Sequence, residues 1–583
     1  MRALRAGKRL SALLVVLAAL LLMGACAGAE PTATPSPTPT SAVAPAATPT
    51  PTPRGTPTPT PTIRVVLVAT PTPTPTTAAP VVVKASGRVV ITMEPPTTGL
   101  IDPAQSRGNT DQAFMWAIYN CTVGGADERM ALAPGIATKW EMSGDGKTWT
   151  YTIRKDVKFH DGTLVRPEDI KFTVENYVKL KSYRAPVYTE LVESIETKGD
   201  DTVIVHMKKQ DVFLPYWMSD LDTSGHCGIV PKAYKERVGD AAFSKKPVGT
   251  GPFKPVSHAA QEYLEVTAFP EHFKNAPRIE SARFVIVGEE TTRMAQLKVG
   301  EADAAQLSTR QLAALQKDAK LRPIMVPEVG TVSLKYWGLD MPESENPLVN
   351  KKVRMALDFA VDRQAIADAV YSGAAEPAVV AYGAWPSDPV YLRDLKPYPY
   401  DPERARALLK EAGYPNLSLK LHGVDYGPTP LMPEVAEVVA AQWQAIGVKV
   451  ELRRWEWAGY APKARAGEFR GQVSTHMATH PAFQERSVAD KVSRPGTTYG
   501  EQIGAWALFP VFEEWSARMQ EDPDPKVRAE LAEKAMRLVY DEHIFNPIVH
   551  TSGIWGLSSR VKAWTPRAGQ GPFINLWTVE VSK

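Results

Sequence analysis

Two histidines, His476 and His480, stand four residues apart in the run His476-Met477-Ala478-Thr479-His480. On a helix that spacing puts both imidazoles on one face, as in a zinc protease. Such a protease needs Glu at 477 as its general base, and this chain has Met there. With no carboxylate or Cys beside them, the pair makes a weak metal site, and hydrogen-bonded histidines are the plainer reading. Tryptophans gather in the same region: Trp455 and Trp457 come just before it, while Trp217, Trp337 and Trp506 are spread elsewhere among the 14. Aromatic faces suit sugars, organic cations and apolar side chains alike. The run Val248-Gly249-Thr250-Gly251-Pro252-Phe253 invites a phosphate-loop reading, but it lacks Gly-Lys-Ser/Thr and leads into no helix. No Ser/His/Asp set, paired carboxylate or Cys/His dyad emerges. The expectation is therefore a protein that is not an enzyme, with no catalytic residue, resident metal or cofactor.

The chain has 583 residues, 22% charged and 44% hydrophobic, enough for several packed cores. Its net charge of +3 is small, and Lys and Arg are scattered, which sets nucleic-acid binding aside. Arg2, Arg5, Lys8 and Arg9 precede an apolar run, Leu10 to Met23, of 14 residues. That run is shorter than the ~20 residues a membrane-spanning helix needs. It ends in Met23-Gly24-Ala25-Cys26, which resembles a bacterial lipobox with Met in place of the usual Leu. The implied chemistry is cleavage of a signal peptide, 1–25, and lipidation of Cys26, giving a chain anchored to the membrane outside the cytoplasm. An ordinary secretory signal with an incidental Cys is the alternative. Residues 1–25 carry four basic and no acidic residues, so their removal takes the chain from +3 to −1. Residues 31–80 hold 15 prolines and 16 threonines, with little to bury. The segment 26–83 is therefore expected to be an extended, partly polyproline-II tether.

The folded part must position these residues, and its elements are legible in places. Lys139 to Ile153 reads as a β-hairpin turning at Ser143-Gly144-Asp145-Gly146, with Thr148–Ile153 aromatic and β-branched at period two. His160-Asp161-Gly162-Thr163 is a second turn, and Pro167 opens a helix with Ile170, Val174 and Tyr177 on its apolar face. Gly87 to Met93 reads as a strand. Asp362 caps a helix; Asp401-Pro402 starts another that Gly413 stops; a third runs from Pro433 to Ile446 and is stopped by Gly447; and Asp524-Pro525 starts one more. Strand Val448–Leu452 follows the third. In the part after about residue 329 this alternation argues for an α/β lobe with a largely parallel core.

The order from Trp140 through Val157-Lys158-Phe159-His160-Asp161-Gly162-Thr163 to Pro167-Glu168-Asp169-Ile170-Lys171-Phe172-Thr173 resembles the signature of the family 5 solute-binding proteins of ATP-driven importers. The glycine run at 248–253 and the block at 350–373, with Arg354 and Ala360-Val361-Asp362-Arg363, are similar to further blocks of that family. The resemblance implies a two-lobed fold of the periplasmic-binding-protein type II (cluster C) kind, α/β, with an extra sub-lobe and a hinged cleft. Its expected parts are lobe I from 84–118, 246–328 and 545–583, the small sub-lobe from 119–245, and lobe II from 329–544. It implies capture of an oligopeptide or similar-sized solute and delivery to an ABC permease and its ATPase, by a monomer. A sugar or a nickel or other metal chelate is the rival ligand, and a ligand sensor the rival role. Ligand-side candidates on this basis are Tyr119, Asn120, Trp337, Trp455, Trp457, His476 and His480. Cys121 and Cys227, near the edges of the implied sub-lobe, either pair as a disulfide or remain separate thiols.

One departure matters. Peptide-binding members carry an Asp-Tyr-Pro-Asp-Pro-like run whose first Asp pairs with the peptide amino group. Here the corresponding run, Ala478 to Phe483, has no acidic residue, which puts free peptides in doubt. Glu485 or Asp490 is the candidate replacement.

Overall fold

The computed structural model describes residues 85–582 except 97, 107–110, 126–130, 222–226, 382–384, 387–390, 427–430, 480–491, 494–499 and 567–571. The signal segment, the tether, Cys26, His480, Glu485 and Asp490 lie outside the described residues.

The chain opens with β1 (Arg88–Met93) and α1 (Gln112–Ile118). It then forms an antiparallel sheet from β2 (Ala137–Met142), β3 (Thr148–Ile153), β4 (Val192–Lys198) and β5 (Thr202–Met207), in the order β2-β3-β5-β4. The β2–β3 hairpin is the one legible in the sequence. Gly146 supplies the positive φ of its turn, +69°, and Trp149, Tyr151 and Ile153 alternate into the core. α2 (Pro167–Lys179) packs on this sheet through Ile170, Val174 and Tyr177.

A second sheet begins at β6 (Phe253–Ala259), β7 (Tyr263–Ala268) and β8 (Ser281–Ile286). After α3 (Glu290–Val299) come β9 (Ala304–Leu307) and the long β10 (Leu321–Tyr336). Then follow α4 (Lys351–Phe359), α5 (Arg363–Tyr371), β11 (Ala375–Pro377), α6 (Pro402–Glu411), β12 (Ser418–Asp425), α7 (Met432–Ala445), β13 (Lys449–Glu456), α8 (Trp457–Arg465) and β14 (Val473–Thr479). The chain closes through α9 (Val511–Glu521), α10 (Pro525–Asp541) and β15 (Phe545–Ser558). Capping follows the sequence. Asp362, Asp401 and Asp524 each accept a backbone N–H in the first turn of their helix, at 2.9 Å. Gly413 and Gly447 take the left-handed conformation just past α6 and α7.

Eleven strands form one continuous sheet, in the order β13-β12-β14-β10-β15-β9-β1-β8-β7-β6, with β11 also on β15. It is mixed rather than largely parallel. β12 runs parallel to β13 and β14, and β1 parallel to β8 and β9, but β10 and β15 run antiparallel to each other and to β14 and β9 respectively. The reason is that β10 and β15 connect two cores. Val326, Trp555 and Leu557 belong to the core around β1, whereas Val332, Leu334, Tyr336, Ile548 and Val549 belong to the core around β12. Their pairing slips between Val326 and Gly330, where the register passes from Gly553 to Thr551. The extra residues there lie on β10, at the point where the two strands leave one core for the other, and a bulge of this kind lets a strand bend.

The sequence block at 350–373 holds the returning strand. Arg363 donates to the Pro547 carbonyl at 2.6 Å and to Asn546 Oδ1 at 2.7 Å. Arg354 donates to the carbonyls of Leu348, Val349, Glu542 and His543. Buried guanidinium groups need such a full set of acceptors.

Candidate functional site

Parallel strands leave their carboxyl ends free for ligands, and both cores present such ends. In the first core β1 ends at Met93, so Glu94 follows directly, beside Gln306 on β9. Gln306 Nε2 donates to Glu94 Oε1 at 3.0 Å, and the Glu94 amide donates to Gln306 Oε1 at 3.3 Å. Arg293 stitches the neighbouring strand ends by donating to the carbonyls of Gln306, Val287 and Gly288. In the second core β12 ends at Asp425, followed by Tyr426. Burial pushes the Glu94 carboxyl up to about 7, Arg293 and Gln306 pull it down, and the nearby Asp425 pushes it up again. The two strand ends therefore lie close enough to feel each other's charge. Arg310, just beyond β9, makes an ion pair at 2.8 Å with Glu434 in the first turn of α7. Farther along, the Val212 amide donates to the Gln520 carbonyl at 2.8 Å, and the Arg528 guanidinium lies 5.5 Å from the Phe213 ring centroid. The four-stranded part and the second core thus also touch.

Three tryptophans singled out from the sequence, Trp337, Trp455 and Trp457, are linked in the second core. Trp337 Nε1 donates to Ser474 Oγ at 2.9 Å, and Ser474 Oγ is 2.8 Å from the Tyr460 hydroxyl. Tyr460 stacks on Phe469 at 4.8 Å and lies 5.9 Å from Trp457, which in turn is 4.8 Å from Tyr426. Trp455 Nε1 donates to His422 Nδ1 at 2.9 Å and packs edge-on to Phe469. His476, on β14, is two residues beyond Ser474 and faces Ser333 of β10. It lies on a strand, not on the helix that a metal-binding i, i+4 pair requires. Among the described residues, no group of three His, Cys, Asp or Glu is placed to hold a metal ion.

Tyr119 and Asn120 are placed elsewhere. Tyr119 is buried, and its hydroxyl donates to the Ile101 carbonyl at 2.7 Å. Asn120 Oδ1 accepts from His272 Nε2 at 2.9 Å, while its amide donates to Thr250 Oγ1. Both residues serve the junction of the first core with the four-stranded sheet. The glycine run meets them there. A Cβ on Gly249 or Gly251 would collide with the Ile118 backbone, so the glycines allow close chain approach, not phosphate binding. His160 from the signature stretch clamps the same turn. Its Nδ1 accepts from the Gly249 amide at 3.3 Å, which leaves Nε2 to donate to the Gly251 carbonyl at 2.9 Å. Burial pushes His160 down to about 4 and His272 to about 3, so both rings are neutral. Beside this junction Cys121 and Cys227 are joined by a disulfide, with Cα atoms 5.1 Å apart.

Sequence reasoning missed Glu94, Gln306, Asp425 and the Arg310–Glu434 pair. Glu94 and Asp425 were accessible in principle, since each lies at the carboxyl end of a strand, but both strands had to be known as parallel.

These features can be set beside known proteins. The family model for bacterial extracellular solute-binding proteins, family 5, matches residues 131–484. The chain is 28% identical over 496 residues to heme-binding protein A of Haemophilus influenzae, covering 80% of this chain and 87% of that protein. It is 27% identical over 485 residues to the dipeptide-binding protein of Escherichia coli, covering 78% and 88%. The periplasmic binding protein DppA of Helicobacter pylori, solved with the peptide STSA, matches with a TM-score of 0.68 at 20% identity, over 86% of this chain and 99% of that one. The fold is that of a two-lobed α/β binding protein. The chain belongs to the bacterial extracellular solute-binding proteins of family 5, a family of binding proteins and not of enzymes.

Proposed function

We propose that this protein is the extracytoplasmic receptor of an ATP-driven importer, capturing a peptide or peptide-sized solute between its lobes and presenting the closed form to the permease. The observation that carries this reading is the 2.8 Å ion pair of Arg310 with Glu434, which joins the two cores beyond β9 and at the start of α7, over two strands whose register slips where they cross. Two crossings with an irregularity make a hinge, and a solute touching both lobes stabilises the closed state by its differential contacts. We place the crossings at 327–329 and 551–553, with the sub-lobe spanning about 119–245. Trp455, Trp457 and Tyr426, each partly buried, supply apolar walls, while Trp337 lies in the core behind them. Asp425 supplies the charge for an ammonium that the run 478–483 lacks, and Glu94 adds to it as it loses its proton near pH 7. Cys26 is the lipidation site, and 26–83 is the tether that lets the receptor reach from the membrane. The heme-, dipeptide- and peptide-associated relatives support a solute of this size. Native mass spectrometry of the full chain in detergent tests the reading. A co-purifying peptide with its N-terminal amine free supports it. A metal chelate or sugar replaces the ligand class, and substrate turnover without retained ligand refutes the receptor.

A further inference from the structure

The hinge strands carry a polar face that neither core uses. On β10, Val332, Leu334 and Tyr336 fill the core of lobe II, so Thr331, Ser333 and Lys335 project from the opposite face. Thr331 is paired with His550 of β15, and its Oγ1 lies 2.9 Å from His550 Nδ1. His550 is 6% exposed and Ser333 0%, yet His550 Nε2 and Ser333 Oγ have no hydrogen-bond partner among the described residues. Buried polar atoms are nearly always paired, so two orphans on one face call for an explanation.

Their chemistry is definite. Burial alone pushes His550 down to about 4, so the ring is neutral and carries one hydrogen. The Thr331 hydroxyl satisfies itself and Nδ1 together by donating to it, which places the ring hydrogen on Nε2. Nε2–H and the Ser333 hydroxyl are then two donors without an acceptor among the described residues, on residues of neighbouring register. Lys335, two residues further on, holds its ammonium 5.3 Å from the Trp337 ring centroid, and His476 faces Ser333 from β14. The rings of Trp385 and Tyr391 lie 4.9 Å and 6.4 Å from the His550 imidazole. Glu376, opposite His550 on β11, is exposed.

We propose that this hinge face is a ligand subsite in which His550 Nε2 and the Ser333 hydroxyl donate to an acceptor oxygen of the solute, a carboxylate or a peptide carbonyl, with Trp385 and Tyr391 against the group that bears it. The inference rests on the receptor reading above and adds to it a fixed anchoring point. Both donors stand on the strands that cross between the cores, so a solute oxygen held there stays at the crossing whichever lobe moves. Specificity then arises because an analogue without the oxygen leaves two buried donors unpaired.

The test uses the full chain and a panel of di- and tripeptides, each as the free acid and as the C-terminal amide, titrated by calorimetry. Wild type binds members of the panel; Ser333→Ala and His550→Leu weaken them about tenfold, and His550→Gln, which keeps a donor, restores most of the loss. A loss confined to free acids identifies a carboxylate, and an equal loss for acids and amides identifies a carbonyl. Ser333→Ala protein that melts like wild type and binds the panel at wild-type affinity overturns the subsite while leaving the receptor standing. Wild type that binds no member of the panel overturns both the peptide reading and the subsite.

Discussion

Glu94 is the most informative single residue to perturb. Its folded-state value near 7 lies above the ordinary 4.5, chiefly through burial. Between those two values the folded chain holds a proton that the unfolded chain has released. The contribution to stability is therefore present in full below pH 4.5 and is lost as the pH rises through 7. The displacement corresponds to at most about 3 kcal/mol, carried in full only above pH 7. Glu94→Gln keeps the acceptor for Gln306 Nε2 and removes the charge. Variant and wild type are expected to melt together near pH 4.5, and the variant to melt higher above pH 7. For roughly 500 ordered residues, 3 kcal/mol is a shift of about 3 °C. Differential scanning calorimetry from pH 4 to 8.5 measures it. Asp425→Asn serves as a control, because it lowers the midpoint of the wild-type profile only if the strand ends of the two lobes meet in solution. Parallel profiles for wild type and Glu94→Gln would refute the reasoning, since a solvated carboxylate has no such linkage.

Three further outcomes are expected. His272 and His160 are depressed to about 3 and 4, so their stabilising neutral forms are present above pH 6.5 and lost as the pH falls toward those values; His272→Gln should recover about 2 kcal/mol near pH 5 in urea unfolding, with no change at pH 7.5. The Arg310–Glu434 pair has side chains 52% and 29% exposed, so Glu434→Ala should weaken solute binding less than about fivefold at ~0.05 M salt and hardly at all at ~0.5 M; an unchanged loss at high salt would show that the pair does not close the cleft. Cys121→Ser with Cys227→Ser opens a link across a sequence separation of 106 and should cost up to about 4.7 kcal/mol by urea midpoint, and a double variant as stable as wild type would show the bond contributes nothing.

Much of the local architecture is legible in the chain itself. The 143–146 turn, the capping aspartates, the glycines past α6 and α7, and the apolar face of α2 are contacts between residues a few positions apart, so residue type and spacing suffice to specify them. The family signature works for the same reason, being a string of turns and short strands. Its unusual residues have a structural purpose: His160 and the 248–253 glycines, 89 and 91 positions apart, secure one junction, which two separate motifs can mark without revealing the ligand. Trp455 and Trp457 stand out in the sequence by residue type alone, but only the fold shows that Trp455 packs against Phe469 and Trp457 against Tyr460 and Tyr426, while Trp337 is taken into the core.

What the tertiary structure alone decided is where distant strands meet. Glu94 and Asp425 are ordinary exposed-looking acids in the sequence, and only the parallel pairing of β1 with β8 and of β12 with β13 turns their strand ends into opposing faces. The same pairing turned a largely parallel expectation into a mixed sheet, because the two strands that cross between cores must run against each other. Thr331 and His550 are 219 residues apart, and nothing near either one specifies the other. Their meeting is set by the register of two long strands, fixed in turn by the burial of Val332, Leu334 and Val549 on the far side. Burial acts through the whole core at once, so a polar residue's partner, its charge state and its access to solute are properties of the assembled sheet and not of the residues beside it in the chain.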